Sequence, residues 1–345
     1  MDIVVMKFGG TSVRDQNTRY HVFKHIRREV SAGYKVLVVV SAMGRAGEPY
    51  ATDTLKELVE YHTSKKETDR LLVCGEIISS IVMSDLLQRY GMNAVSLAPQ
   101  QLGIETDSNY NNANILKVDP SIILNLFEEH DVLVAPGFVG VAEDGSVTTL
   151  GRGGSDTSAI ALGGAVNAAF VDIYSDVEGV MTADPKLVKD ARLLKKISYD
   201  NLINLAARGA KVIHLKAIEL AKQNRINLRL RSTMVEHIGT YVVDETVNTL
   251  SLAYESGYTR YDLEGDLIPM ECDFLTRQGS GWYAESFDEE EVEAYLESKA
   301  IIYQKVENYV RISWFNQQRI PLEVTFFVDA LKLEDTLNFL HYNLV

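Results

Sequence analysis

The chain has 345 residues, 46% of them hydrophobic and 24% charged, which is enough apolar material for a large core and about two domains. Its formal net charge of −14 argues against a nucleic-acid binder, which needs basic clusters to neutralise phosphates. No apolar run approaches the roughly 20 residues that span a bilayer, the N-terminus lacks a secretory pattern, and Cys74 and Cys272 are the only cysteines. No membrane, a reducing cytoplasmic setting and no disulfide framework are therefore expected.

In chain order, residues 3–6, 35–40, 132–135, 170–174 and 226–230 are short apolar runs, mostly β-branched, as buried strands tend to be. Between them, Val22, Ile26 and Val30 recur at four-residue spacing, which predicts an amphipathic helix over 18–32 ending at Gly33. Further helices are expected over 76–90, 157–168 and 198–223. Strand–helix alternation implies a mostly parallel sheet covered on both faces.

Residues 246–345 read differently. They hold 18 acidic against 7 basic residues, where the rest of the chain holds 30 against 27, and they carry both Trp and 8 of the 17 Tyr. Two composition regimes put a domain border near 245, giving domains 1–245 and 246–345. The tail is expected to hold an acidic helix over 289–298, strands over 300–306, 309–315 and 322–328, and a last helix over 333–342. A β-α-β-β-α-β module of about 70 residues fits there once and not twice.

Several polar motifs fall at the ends of these elements. Lys7-Phe8-Gly9-Gly10-Thr11-Ser12 closes the first strand. Glycines there let backbone N–H groups approach phosphates, and a lysine neutralises the charge moved in phosphoryl transfer; alone, the motif reads equally as a strand-terminal turn. Ser41 ends the second strand. Cys74-Gly75-Glu76 lies where the apolar run 71–73 meets a helix start, so Glu76 is either a dipole partner or a holder of a substrate ammonium. Gly151-Arg152-Gly153-Gly154-Ser155-Asp156 precedes the helix near Thr157. It reads either as a capped helix, with Ser155 or Asp156 at the N-cap, or as an anion site in which Arg152 grips a carboxylate bidentately. The loop from Ser175 to Lys186 is turn-rich and acidic, and Lys211 stands beside a helix.

Taken together, in kind, order and spacing, these motifs resemble the aspartate kinases of the amino-acid kinase family over roughly residues 1–245. The resemblance is closest to the short Gram-positive lysine-pathway type, especially through VVVSAMGRAGEPYATD at 38–53. It implies a three-layer αβα kinase domain with a mostly parallel sheet, followed by a smaller α+β, ferredoxin-like or ACT-like C-terminal domain. It also implies transfer of the ATP γ-phosphoryl to the side-chain carboxylate of L-aspartate, the first step toward lysine, diaminopimelate, threonine and methionine.

By resemblance, Lys7, Asp156 and Lys211 are catalytic. Lys7, Gly9, Gly10, Ser175, Asp176, Met181, Lys186, Lys211 and Val212 contact ATP. Ser41, Thr52, Glu76, Arg152 and Ser155 contact the substrate. Mg²⁺ is held by the ATP phosphates, with no metal ligand expected from the protein, and a homo-oligomer, a dimer, is expected. The chain departs from the family at Ser175, where Thr is common, at Lys186, where Arg is common, and at His214-Leu215-Lys216. Most members carry two ACT modules where this tail has room for one. A kinase of another small acceptor and a non-catalytic nucleotide-binding regulatory partner stand as alternatives.

Overall fold

The computed structural model describes residues 2–59, 63–210, 212–237, 239–245, 247, 250–263, 275–278, 281–299, 303–316 and 322–344. The chain divides into two compact units. The first comprises Met1–Val180, Leu193–Ala206 and Lys211–Thr246; the second comprises Met181–Arg192, Ala207–Ala210 and Val247–Val345.

The first unit begins with β1 (Ile3–Phe8), α1 (Gly10–Val13), α2 (Gln16–Ser31), β2 (Lys35–Val40), α3 (Thr52–Lys56) and α4 (Lys65–Arg89). Next come β3 (Ala94–Ser96), β4 (Ile104–Thr106), β5 (Ile115–Val118), α5 (Ser121–Glu129), β6 (Val132–Pro136), β7 (Val139–Ala142) and β8 (Val147–Thr149). It ends with α6 (Gly154–Ala165), β9 (Phe170–Ser175), β10 (Lys196–Ser198), α7 (Tyr199–Ala207), α8 (Leu215–Gln223), β11 (Leu228–Ser232) and β12 (Thr240–Val243). The main sheet runs β10-β12-β11-β9-β1-β2-β6-β3, and a smaller sheet runs β5-β4-β7-β8. In the main sheet only the β11–β12 pair is antiparallel.

Apolar pattern and caps explain the framework. Every residue of β1 but Lys7, and every residue of β2 but Lys35, is buried. Val22, Phe23 and Ile26 turn the inner face of α2 onto the same core. Asp15 caps that helix through the Thr18 N–H, with Thr18 returning a bond to the Asp15 backbone. It ends at Gly33, whose φ is +93°, with the Gly33 N–H donating to Val30 and the Tyr34 N–H to Glu29.

Four expectations need correction. The helix expected over 76–90 begins at Lys65, capped by Ser64, so the run 71–73 is helical and Glu76 lies mid-helix. By length and composition α4 could cross a membrane, but half of its apolar window is buried in the fold. With Asp69 and Glu76 both buried along it, it reads as a core helix. The helix expected from 157 begins at Gly154 with Gly153 at its N-cap, so neither Ser155 nor Asp156 caps it. The stretch 198–223 splits into α7 and α8, and the strand expected at 226–230 starts at Leu228.

The second unit is a five-stranded antiparallel sheet ordered β14-β15-β13-β16-β17, formed by β13 (Leu250–Leu263), β14 (Thr276–Gln278), β15 (Gly281–Glu285), β16 (Tyr303–Asn316) and β17 (Leu322–Asp329). Two helices, α9 (Glu289–Ser298) and α10 (Leu333–Leu344), complete it. The order β14-β15-β13-β16 is the 2-3-1-4 order of a ferredoxin-like module, with β17 as an added edge strand. Where such a module has its first helix, residues 264–274 lie outside the described residues. Of the two strands expected at 300–306 and 309–315, residues 303–306 and 309–315 belong to the single strand β16, which passes through Asn308 at φ +67° as its register to β13 shifts, while residues 300–302 lie outside the described residues. Val292 and Leu296 of α9 pack with Tyr261 and Ala284, and Leu337 of α10 packs with Leu252 and Ile312.

Candidate active site

The carboxyl ends of β1, β2 and β9, neighbours at the centre of the main sheet, converge on one group of polar side chains. Lys7 is paired in register with Val39 of β2 and Ile173 of β9. Its Nζ lies 2.6 Å from Asp156 Oδ1, with each side chain 12% exposed. Asp156 is the third residue of α6, so it also sits at the positive end of that helix. The hydroxyl of Ser41, just past β2, donates to Ser155 Oγ at 3.0 Å.

The glycine turn is packed into this frame. A Cβ on Gly9 would lie 3.7 Å from Lys7 Nζ, so that face stays open beside the ammonium. A Cβ on Gly10 would stand 2.6 Å from the carbonyl oxygens of both Ala42 and Gly44, which only glycine avoids.

Glu76 comes to this region because α4 passes very close. A Cβ on Gly75 would lie 2.9 Å from the Tyr50 carbonyl oxygen and 3.2 Å from the Ala42 side chain. That approach sets Glu76, 2% exposed, beside the Ala42 N–H, while its Oε2 has no hydrogen-bond partner. Burial pushes its carboxyl up to about 8, against the opposing pull of the Ala42 N–H and the positive charge of Lys7. Thr52 opens α3 two residues beyond Tyr50 and is half-buried.

The structure thus brings Lys7, Gly9, Gly10, Ser41, Glu76, Ser155 and Asp156 together. Arg152 stands exposed in the turn before α6. Ser175 ends β9, with its carbonyl accepting from the Thr233 N–H, and the carboxylate of Asp176 accepts from Arg45 at 2.7 Å. Met181 and Lys186 belong to the second unit, where Lys186 is exposed and its N–H donates to Asp184 Oδ1. Val212 is half-buried, and Lys211 lies outside the described residues.

Two supporting groups escaped the sequence reading. Asp69, fully buried about two helical turns before Glu76, accepts from the Asn111 N–H and from the N–H and hydroxyl of Thr149. It thereby holds the end of β8 just before Arg152. Asp172 of β9, also fully buried, binds Arg229 at 2.5 and 2.8 Å and Arg231 at 2.9 Å, and it accepts from the Tyr174 hydroxyl. Ser12 Oγ meets Thr233 Oγ1 at 2.6 Å, tying α1 to the residue that follows β11. Asp172→Asn would leave two guanidinium groups underpaired and is expected to cost about 3 kcal/mol of stability. Urea unfolding checks this, and a loss near zero would refute the network's role. A separate cavity of about 710 Å³, lined by Glu105, Leu116, Ile122 and Glu143 among others, contains none of these site residues.

Fold and site define a parallel-sheet α/β domain that gathers a lysine, carboxylates and glycine turns at its strand ends, where such sheets bind ligands. Residues 2–232 match the amino acid kinase family, and the chain belongs to it. It is 48% identical over 245 residues to aspartokinase 1 of Bacillus subtilis (strain 168), covering 70% of this chain and 61% of that one. It is 39% identical over 284 residues to aspartokinase 2 of the same strain, covering 80% and 69%. The chain therefore spans about two thirds of these relatives' length. The crystal structure of Escherichia coli aspartokinase III in complex with aspartate and ADP (R-state) shares the fold. Its TM-score is 0.71 over 99% of this chain and 100% of that one, at 22% identity.

Proposed function

We propose that the protein is an aspartate kinase working in the cytoplasm. It moves the γ-phosphoryl of ATP to the β-carboxylate of L-aspartate, giving 4-phospho-L-aspartate and ADP. The observation that carries this reading is Glu76, a carboxylate nine-tenths buried with one oxygen lacking a partner, beside the Lys7–Asp156 pair. Such a group suits an incoming ammonium, which a free amino acid has and an N-acetylated one lacks. The aspartokinase names of the relatives support the same reading.

The residues then divide the work. Glu76 receives the α-ammonium and Arg152 the α-carboxylate, while Ser41, Thr52 and Ser155 border the acceptor. The acceptor carboxylate titrates near 4 and is already a nucleophile at neutral pH, so no general base is required. One of its oxygens forms the new bond to γ-phosphorus as the bond to the β–γ bridging oxygen breaks and ADP leaves. Lys7 and Lys211 balance the charge that moves, and Asp156 orients Lys7. Gly9, Gly10, Ser175, Met181, Lys186 and Val212 contribute nucleotide contacts, and Asp176 acts there through its ion pair with Arg45. Mg²⁺ bound to the phosphates adds charge neutralisation. The residues fit such a load, since the ammonium of Lys7 borders the open face of Gly9. Exposed Phe287, Phe339 and Tyr342 in the second unit offer surface for assembly into a homo-oligomer.

A hydroxamate assay with MgATP is expected to yield aspartyl hydroxamate from L-aspartate and none from N-acetyl-L-aspartate; product from both acceptors, or from neither, refutes the reading. Arg152→Ala is expected to raise KM for aspartate about tenfold or more, with nucleotide affinity little changed. An unchanged KM for aspartate removes Arg152 from the site.

A further inference from the structure

The glycine turn at Gly9-Gly10 has a neighbour on each side, and the residues that follow those neighbours are joined. On one side Gly10 lies against Gly44, whose N–H donates to the Gly10 carbonyl at 3.0 Å. On the other, a Cβ on Gly9 would lie 4.0 Å from the Tyr174 carbonyl oxygen. Arg45 follows Gly44, Asp176 comes two residues after Tyr174, and Arg45 Nη2 donates to Asp176 Oδ2 at 2.7 Å. The pair links residues 131 apart in sequence and straddles the turn beside Lys7.

Arg45 is held in place by its backbone, whose N–H donates to Glu48 Oε2 at 2.7 Å. Its guanidinium side chain is 65% exposed and that of Asp176 60% exposed. Exposed ion pairs of this kind contribute little stability, so exchanging one anion for another costs little. Lys7, the other described cation at this turn, is already committed to Asp156, while a triphosphate brings several negative charges. A planar fork of N–H donors matches phosphate oxygens better than a single carboxylate oxygen.

We infer that Arg45 is a phosphate-binding residue of this site, held by Asp176 until a nucleotide's terminal phosphates displace the carboxylate. The inference rests on the reading that the site binds MgATP, and it adds a cation that neither the glycine turn nor Lys7 supplies. Asp176 thereby becomes a competitor of the phosphates for the same guanidinium.

Titration calorimetry with MgATP on the full chain separates this from a purely structural strap. Arg45→Ala is expected to weaken binding about tenfold or more, with Arg45→Lys recovering part of the loss. Asp176→Asn breaks the same ion pair but is expected to tighten binding, because it frees the guanidinium. In the Arg45→Ala background that tightening disappears. A strap would make both single variants weaker; that result, or no effect of Arg45→Ala, overturns the inference. Tightening by Asp176→Asn that persists in full without Arg45 also overturns it, since the carboxylate would then act on the phosphates directly. A wild-type chain that does not bind MgATP overturns both this inference and the kinase reading. A chain that binds MgATP through Arg45 but phosphorylates no aspartate overturns the acceptor assignment alone.

Discussion

Glu76→Gln is expected to stabilise the fold above neutral pH while nearly eliminating use of aspartate. Burial raises the Glu76 carboxyl from 4.5 to about 8. Below about pH 4.5 the group is protonated in both the folded and unfolded chain, and its burial carries no ionic penalty. As pH rises toward 8 the unfolded chain releases the proton while the folded chain keeps it, so stability falls through that window and levels off above it. A glutamine has no proton to release and lacks this slope. The advantage of the variant should therefore grow by about 2–4 kcal/mol between pH 5 and pH 8. Asp69, raised by burial as well, is present in both proteins and cancels. Urea unfolding at the two pH values decides the matter: a difference between variant and wild type that does not change with pH would show that Glu76 is charged in the free protein. For function, an ammonium arriving at position 76 loses the buried countercharge proposed to receive it, and kcat/KM for aspartate should fall about 10²- to 10⁴-fold. Binding of aspartate to the wild type near pH 7 should release about one proton, read by calorimetry in two buffers of different ionisation enthalpy. A group that weakens the fold and is retained for its ligand is what a binding site requires.

How far the sequence revealed this site depends on which signals are local. The strands at 35–40 and 170–174 are legible because, Lys35 and Asp172 apart, every residue is apolar, and both strands are largely buried on two faces. Lys7, Gly9 and Gly10 are legible because they interrupt such a run. Glu76 reads from the sequence as lying at a helix start, whereas it lies mid-helix. The Leu71-Leu72-Val73 run looks like a strand, and the signal that overrides it, Ser64 followed three residues later by Glu67, lies a full turn and more upstream. Once the helix starts at Lys65, Asp69 falls seven residues before Glu76 on the same face, and a buried carboxylate anchoring Thr149 follows. The Asp172–Arg229–Arg231 cluster had no local signal at all. Alternation within β9 and β11 reads as ordinary strand, and only their parallel pairing, with Arg229 opposite Asp172, brings the charges together. The Arg45–Asp176 pair is hidden for the same reason, since it depends on β2 and β9 flanking β1. In the tail, Asn308 broke the apolar pattern of a single long strand into what looked like two.

Lys7→Ala is expected to lower kcat about 10²- to 10³-fold while costing the fold less than removal of one partner from a buried ion pair usually does. Such removal ordinarily costs about 3–5 kcal/mol because the remaining charge is left without compensation. Here the remaining charge is Asp156, in the first turn of α6, where the N-terminal peptide groups partly replace the lysine. A loss of about 1–2 kcal/mol is expected, and adding Asp156→Asn should recover most of it without recovering activity. Kinetics and urea unfolding of the two single variants and the double variant supply both readings. A Lys7→Ala enzyme within tenfold of the wild-type kcat would remove Lys7 from the chemistry. Additive stability losses in the double variant would mean that the 2.6 Å pair contributes nothing as a pair. The same substitution acts on Glu76, because Lys7 is the cation that opposes its burial. Without Lys7 the Glu76 carboxyl should hold its proton to a higher pH, and the fall in stability should extend above 8. In the proposed kinase reading the lysine is thereby tied to two carboxylates with different tasks: its pair with Asp156 serves phosphoryl transfer, and its charge brings Glu76 closer to ionisation so that an arriving ammonium can complete the step.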